Sequence, residues 1–433
     1  MKKAIGLSLA LVIFTAVGSV NLLSAVPYVV FGSVILFTIL AIMGRVNKRY
    51  YPIYIYGLAV SLLWQTSMLG TYIIGVDIHT EYWVANWIIE NGWDLSWANN
   101  SATSFVLGII APSLDKIGID LVWQFKMLFP MVCALAPVFL FYAFKRRLGE
   151  DKAYLTALFF MTMPMFTMEV VSIVKSQWAY MFIALMVLFM TSDYKPWKKT
   201  LGIVGAGLGA AFSHYAIALM VFAYIVTIFG ILLITNWGKV RSWFGAKRLP
   251  MRYLALSCSV IIGLMFAWYS VAGSGCIVNV AFAIGGNLAE VTKEVVSSDG
   301  TEQAETYYYY TQPVEENTYL DTQEQLIRTA IGLDFMRATN WGKVFRVFQY
   351  LTQIFMVLGF VYVLLKKGYG FTGEYLASVV ASFGLLACCI FVPFFSTTLS
   401  TTRYYALSLL FISPMLVIGV EQVGERVKIW LKR

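Results

Sequence analysis

The chain has 433 residues, of which 59% are hydrophobic and 13% charged, with a formal net charge of +9. Its mean hydropathy is +0.73, and apolar runs of about 20 residues, each able to cross the hydrocarbon as a helix, recur along its length. A string of soluble domains is excluded, and residues 1–433 read as one all-α polytopic membrane bundle.

Twelve spans are read in chain order: 4–24, 27–43, 53–70, 123–144, 153–170, 175–192, 199–213, 215–235, 253–273, 346–365, 375–395 and 404–420. The first follows Met1-Lys2-Lys3 and has an apolar core longer than a secretory h-region, so it reads as an uncleaved span. The seventh carries Gly202, Gly205, Gly207 and Gly209, which suits close helix packing. With the N-terminus inside, Arg45, Lys48 and Arg49, the run Lys145-Arg-Arg147, Lys195, Lys198 and Lys199, the cluster at 239–252, and Arg426 to Arg433 all fall on the inner side. This is the positive-inside pattern, with both termini cytoplasmic in the cell membrane. The basic pI therefore reflects topology and carries no expectation of nucleic acid. Five cysteines lie in or beside spans without CxxC spacing and read as packing residues.

Two outward loops are long. The first, 71–122, contains stretches 81–90 and 104–117 that read as short amphipathic helices on the membrane, with Trp83, Trp87, Trp93 and Trp97 as interfacial aromatics. The second, 274–345, is acidic and polar over 290–324 and reads either as a lid or as disordered chain.

The chemistry-bearing residues gather on the outer side. Gly75-Val-Asp-Ile-His-Thr-Glu-Tyr82 sets Asp77, His79 and Glu81 at alternate positions where a span leaves the bilayer. On a helix Asp77 and Glu81 share a face; on a strand all three do. Such a set serves as a general base with an orienting partner, or holds a divalent cation, Mg or Mn, through oxygen and imidazole. His214 sits between two spans in Ser213-His214-Tyr215, and Glu169 and Lys175 flank another outer turn. Arg403 ends a hydroxyl-rich run, 396–402, and precedes Tyr404 and Tyr405; its five donors suit a phosphate at headgroup level.

These residues, with Ile331-Gly-Leu-Asp-Phe335 and Trp341-Gly-Lys-Val-Phe-Arg-Val-Phe-Gln-Tyr350, give the chain a pattern that resembles the GT-C superfamily of lipid-carrier-dependent glycosyltransferases. The resemblance covers most of the chain by architecture and these short motifs by sequence. It implies transfer of a sugar from a polyprenyl-phosphate-linked donor to a glycan, lipid or protein acceptor at the extracytoplasmic face. It implies Asp77 as base with Glu81 as its partner and His79 beside them. Arg403, Lys175 and His214, with Glu169 and Tyr404, would hold the carrier phosphate. Two features depart from that superfamily: more than one span precedes the acidic loop, and the double-aspartate metal motif of oligosaccharyltransferases is absent. An O-antigen-type polymerase or ligase centred on Arg403 and Arg337, and a lipid-linked sugar transporter or flippase, are the rival readings. Span centres nearly free of charge favour surface chemistry over transport.

Overall fold

The computed structural model describes residues 2–75, 77–97, 99–236, 250–272, 335–337, 339–366, 369–391 and 401–431. Among them every regular element is helical. In chain order these are α1 (Lys2–Val20), α2 (Ala25–Ile42), α3 (Tyr51–Ser67), α4 (Asp77–Asn91) and α5 (Ala111–Lys116). There follow α6 (Leu121–Trp123), α7 (Phe129–Cys133), α8 (Leu135–Leu148), α9 (Glu150–Thr162), α10 (Val174–Thr191) and α11 (Pro196–Ser213). The last are α12 (Tyr215–Asn236), α13 (Met251–Val271), α14 (Asn340–Lys366), α15 (Gly373–Phe391) and α16 (Thr401–Leu431). Most of the second long loop, including the acidic stretch 290–324 and Arg328, lies outside the described residues, as does the Arg337 side chain.

Each of the twelve expected spans falls mainly on helix where it is described, but among the described residues only eight segments are long and apolar enough to cross a membrane. These are α2, the run Leu121–Leu148, α10, α12, α13, α14, α15 and α16. A ninth forms if Glu150–Thr162 and Met165–Ser172, bent by 57°, make one broken span. The remaining three expected spans fall short for physical reasons. The apolar part of α1, Ile5–Val20, is short. α3 has 17 residues and ends on Gln65, Thr66 and Ser67. α11 begins with Pro196 and holds Lys198, Lys199 and four glycines.

The main core joins α3, α8, α9, α10, α12, α15 and α16 through residues such as Tyr51, Phe144, Tyr154, Tyr375 and Phe411. α14 meets α16 at its closest through two glycines. A Cβ on Gly359 would lie 1.9 Å from the Met415 carbonyl oxygen, and one on Gly419 1.9 Å from that of Phe355. The absence of both side chains lets the two backbones touch, as small residues do between membrane helices. Ion pairs fasten the opposite end from α4: Arg147 to Asp193 at 2.6 Å, Lys152 to Glu421 at 2.5 Å, and the buried Lys199 to Glu374 at 3.3 Å.

A second core lies around α4. Ile78, Val84, Ala85 and Ile88 pack against Val106, Leu107, Ala111, Phe125, Phe129 and Val174, all at most 3% exposed. Much of the apolar surface of stretches 81–90 and 104–117 is thus covered by protein, while Trp83, Ile109 and Ile117 stay exposed. Stretch 104–117 is also less regular than expected, with a π-helical turn at Val106–Ile110 leading into α5.

Candidate functional site

The site is built where α4, the break before α10, the α11–α12 junction and the start of α16 converge. Gly75 (φ +136°) turns the chain into α4; a Cβ there would meet Ile78 and the Ser172 backbone at about 3 Å. The preceding strand of chain is tied down by Lys126, a buried ammonium that donates to the carbonyls of Gly70 at 3.0 Å and Tyr72 at 2.5 Å. Lys126 sits on a π-helical turn, Gln124–Leu128. Reading positions 123–144 as an ordinary span hid it.

Asp77, the first residue of α4, pairs with Arg403 across 326 positions of sequence: Oδ2 accepts from Nη2 at 3.2 Å. The aspartate side chain is 54% exposed and the arginine 20%. Arg403 Nε is buried and makes no hydrogen bond among the described residues. Beside it, Thr402 Oγ1 donates to Glu169 Oε1 at 2.6 Å. Glu169 closes a π-helical turn, Met165–Glu169, that breaks the chain between α9 and α10; such turns recur at functional sites.

Glu81 shares the inner face of α4 with Asp77, as i,i+4 spacing requires, yet has its own partners. It is 1% exposed. One carboxylate oxygen accepts the Val174 backbone N–H at 2.7 Å, capping the first turn of α10, whose N–H groups lack intrahelical partners. The other lies 3.3 Å from Lys175 Nζ. Burial pushes the Glu81 carboxyl above its ordinary value, a shift opposed by Lys175 and by the two backbone N–H groups it faces. Lys175, itself 5% exposed, also donates to Ser101 Oγ at 2.8 Å and stands 5.3 Å over the Tyr215 ring. The pairing of Lys175 is thus with Glu81, whereas Glu169 takes Thr402.

His214 is buried at the α11–α12 junction. Its Nδ1 accepts the Ala216 backbone N–H at 3.0 Å, so the ring caps α12. Burial, then the positive charges of Lys175 and Arg403, hold its pKa well below the usual imidazole value, and the ring is neutral.

Two expectations are corrected. His79 is exposed on the far side of α4, because a step of two residues on a helix turns about 200°. Among the described residues no three His, Cys, Asp or Glu side chains are grouped to hold a metal, so Asp77, His79 and Glu81 do not form the three-ligand set that a strand would have made. Tyr404, expected at the phosphate, is 6% exposed and belongs to the main core. Thr402 belongs to the hydroxyl-rich run noted beside Arg403, whereas Ser101 and Lys126 were not singled out from sequence; no short motif marks them.

One turn beyond Glu169 and Arg403 a small apolar cleft of about 10 Å³ lies between the broken span and α16. Phe160, Met163, Met165, Phe166, Val170, Tyr180, Ala406 and Leu409 line it. The charged cluster and the apolar cleft share Val170 and the first turns of α16 as their border.

Comparison with known proteins bears on the C-terminal quarter. Residues 333–433 match a family described as a predicted membrane protein (DUF2206). The matched region is the α14–α16 part of the bundle, with the Gly359–Gly419 contact and Arg403; α4 and α10 lie outside it. No curated protein matches the chain. Together with the apolar helices, the match makes this a multi-pass membrane protein.

Proposed function

We propose that the protein is a membrane glycosyltransferase that moves a sugar from a polyprenyl-phosphate-linked donor to an acceptor at the extracytoplasmic face of the cell membrane. The observation that carries this reading is the meeting of Asp77 with Arg403 where α4 and α16 both begin. A half-exposed carboxylate and a guanidinium whose buried Nε has no partner among the described residues match two parts of the substrates, acceptor hydroxyl and carrier phosphate. In the reaction Asp77 takes the proton of the acceptor hydroxyl. The acceptor oxygen bonds to the anomeric carbon as the bond from that carbon to the phosphate oxygen breaks. Arg403 meets the negative charge gathering on the leaving phosphate, an electrostatic role of the kind that contributes most to such steps. A planar fork of donors suits phosphate better than a lysine does. Glu81 and Lys175 support the site: Glu81 caps α10 and fixes the Lys175 ammonium near the carrier.

The test is the carrier pool of cells. Cells lacking the protein are expected to accumulate sugar-loaded polyprenyl phosphate, detected by mass spectrometry of extracted lipids, and Arg403→Lys is expected to restore little of the turnover. An unchanged pool would refute the reading. Turnover restored in full by Asp77→Asn but not by Arg403→Ala would favour the arginine-centred polymerase.

A further inference from the structure

We propose that the solvent-facing side of α4 is a saccharide-binding platform centred on Trp83. α4 buries Ile78, Glu81, Val84, Ala85 and Ile88, and at about 100° per residue the opposite face consists of His79, Trp83, Asn86 and Glu90. Trp83 is 54% exposed. Its ring is held edge to face by Trp97, with centroids 5.6 Å apart, and Trp97 in turn lies 4.4 Å from Trp87. The indole is therefore exposed and fixed at once.

Three observations choose the occupant. The apolar side of α4 already packs on protein, so the helix has no need of lipid to cover it. The neighbours of Trp83 on its own face are an imidazole, an amide and a carboxylate, with Asn86 Nδ2 donating to Glu90 Oε1 at 2.8 Å. No lysine or arginine lies on that face of α4, whereas a helix that anchors to anionic headgroups carries them. A sugar ring meets this surface on both counts. Its C–H face stacks on an aromatic face, and its hydroxyls exchange hydrogen bonds with planar amide and carboxylate groups.

Binding to this surface does not depend on the transfer reaction, and the experiment keeps the two apart by omitting donor. The full chain, purified in lipid nanodiscs, is applied to an array of neutral and uronic-acid oligosaccharides, and the best binder is titrated against tryptophan fluorescence. The wild type is expected to bind, Trp83→Ala to weaken binding roughly tenfold, and Trp83→Phe, which keeps a ring, to stay within about threefold. Glu90→Gln, at an exposed position, is expected to weaken it by about threefold. All three variants should melt with the wild type. No binding to any saccharide, or binding indifferent to Trp83→Ala and Glu90→Gln, would overturn the proposal. So would quenching of the Trp83-dependent fluorescence by brominated phospholipid, which would make the indole a membrane anchor. Saccharide binding without any transfer activity would leave the platform standing and remove the glycosyltransferase reading.

Discussion

Replacing Lys175 by methionine removes the cation from a fully buried ion pair while keeping most of the side-chain volume. Two unit charges 3.3 Å apart attract by about 5 kcal/mol at an effective dielectric of about 20. Desolvation offsets most of that in the intact pair, but removing one partner leaves a buried charge uncompensated, at a typical cost of about 3–5 kcal/mol. Glu81 has a way to limit the damage. Its carboxyl is already raised from 4.5 by burial, and without Lys175, which opposes that shift, it is raised further and protonates more readily. The expected loss for Lys175→Met is therefore at the low end, about 3 kcal/mol. Glu81→Gln should cost a similar amount, by leaving the ammonium with only Ser101 and the Tyr215 ring. The double variant should be more stable than the sum of the singles by about 2 kcal/mol. Reversible unfolding in mixed SDS and mild-detergent micelles measures all four proteins. The pH dependence supplies a second signature. A carboxyl raised above its unfolded value favours the folded state most when protonated, and that contribution is lost as pH rises through the folded value. Lys175→Met, with the larger shift, should regain stability relative to wild type as pH falls from 7 toward 5. Single losses that simply add, with no acid-side recovery, would refute the claim that Glu81 and Lys175 act as one unit.

Three more outcomes follow from the geometry. Gly419→Ala sets a Cβ 1.9 Å from the Phe355 carbonyl oxygen, so α14 and α16 must part; a loss of about 1–3 kcal/mol and weaker cysteine cross-linking between the two helices are expected. His214, whose folded pKa lies well below 6.5, makes the unfolded chain bind the extra proton first. Stability should be full above about pH 6.5 and fall below it, and His214→Gln should flatten that acid-side slope in a pH series of melts. Lys126→Met frees the carbonyls of Gly70 and Tyr72, and should raise hydrogen exchange at the entry to α4 while the main core keeps its protection.

Much of the frame was legible in the sequence because lipid imposes it. Apolar runs must become helices, and the sided placement of Arg45, Lys145 and Lys199 against Asp77, Lys175 and Arg403 separates the two ends of the bundle before any contact is known. The gathering of Asp77, Glu81, Glu169, Lys175, His214 and Arg403 follows from that sorting. Which of them touch does not. Glu81 and Asp77 lie on one face of α4 but choose Lys175 and Arg403 respectively, a choice made by the break at Met165–Glu169 and by where α16 begins. Local periodicity carries no trace of either. The π-helical turn that aims Lys126 at the entry to α4 is equally silent in the sequence. Tyr404, next to Arg403 in sequence, turns about 100° away on α16 and into the core. The amphipathic pattern of α4 was legible, but not that Ile78, Val84, Ala85 and Ile88 pack on protein, because lipid and a protein core select the same apolar spacing.

The central claim is sugar transfer at the Asp77–Arg403 pair. Its most direct test is transfer from a radiolabelled polyprenyl-phosphate donor pool in isolated membranes, wild type beside Asp77→Asn at equal expression. Asparagine keeps the shape of the side chain and its hydrogen bond capacity toward Arg403 but cannot accept the acceptor's proton at neutral pH. Label is expected to reach the acceptor with wild type and to fall by at least about a hundredfold with the variant, the contribution of a positioned general base. Equal transfer by both proteins would contradict the account and take the chemistry away from Asp77.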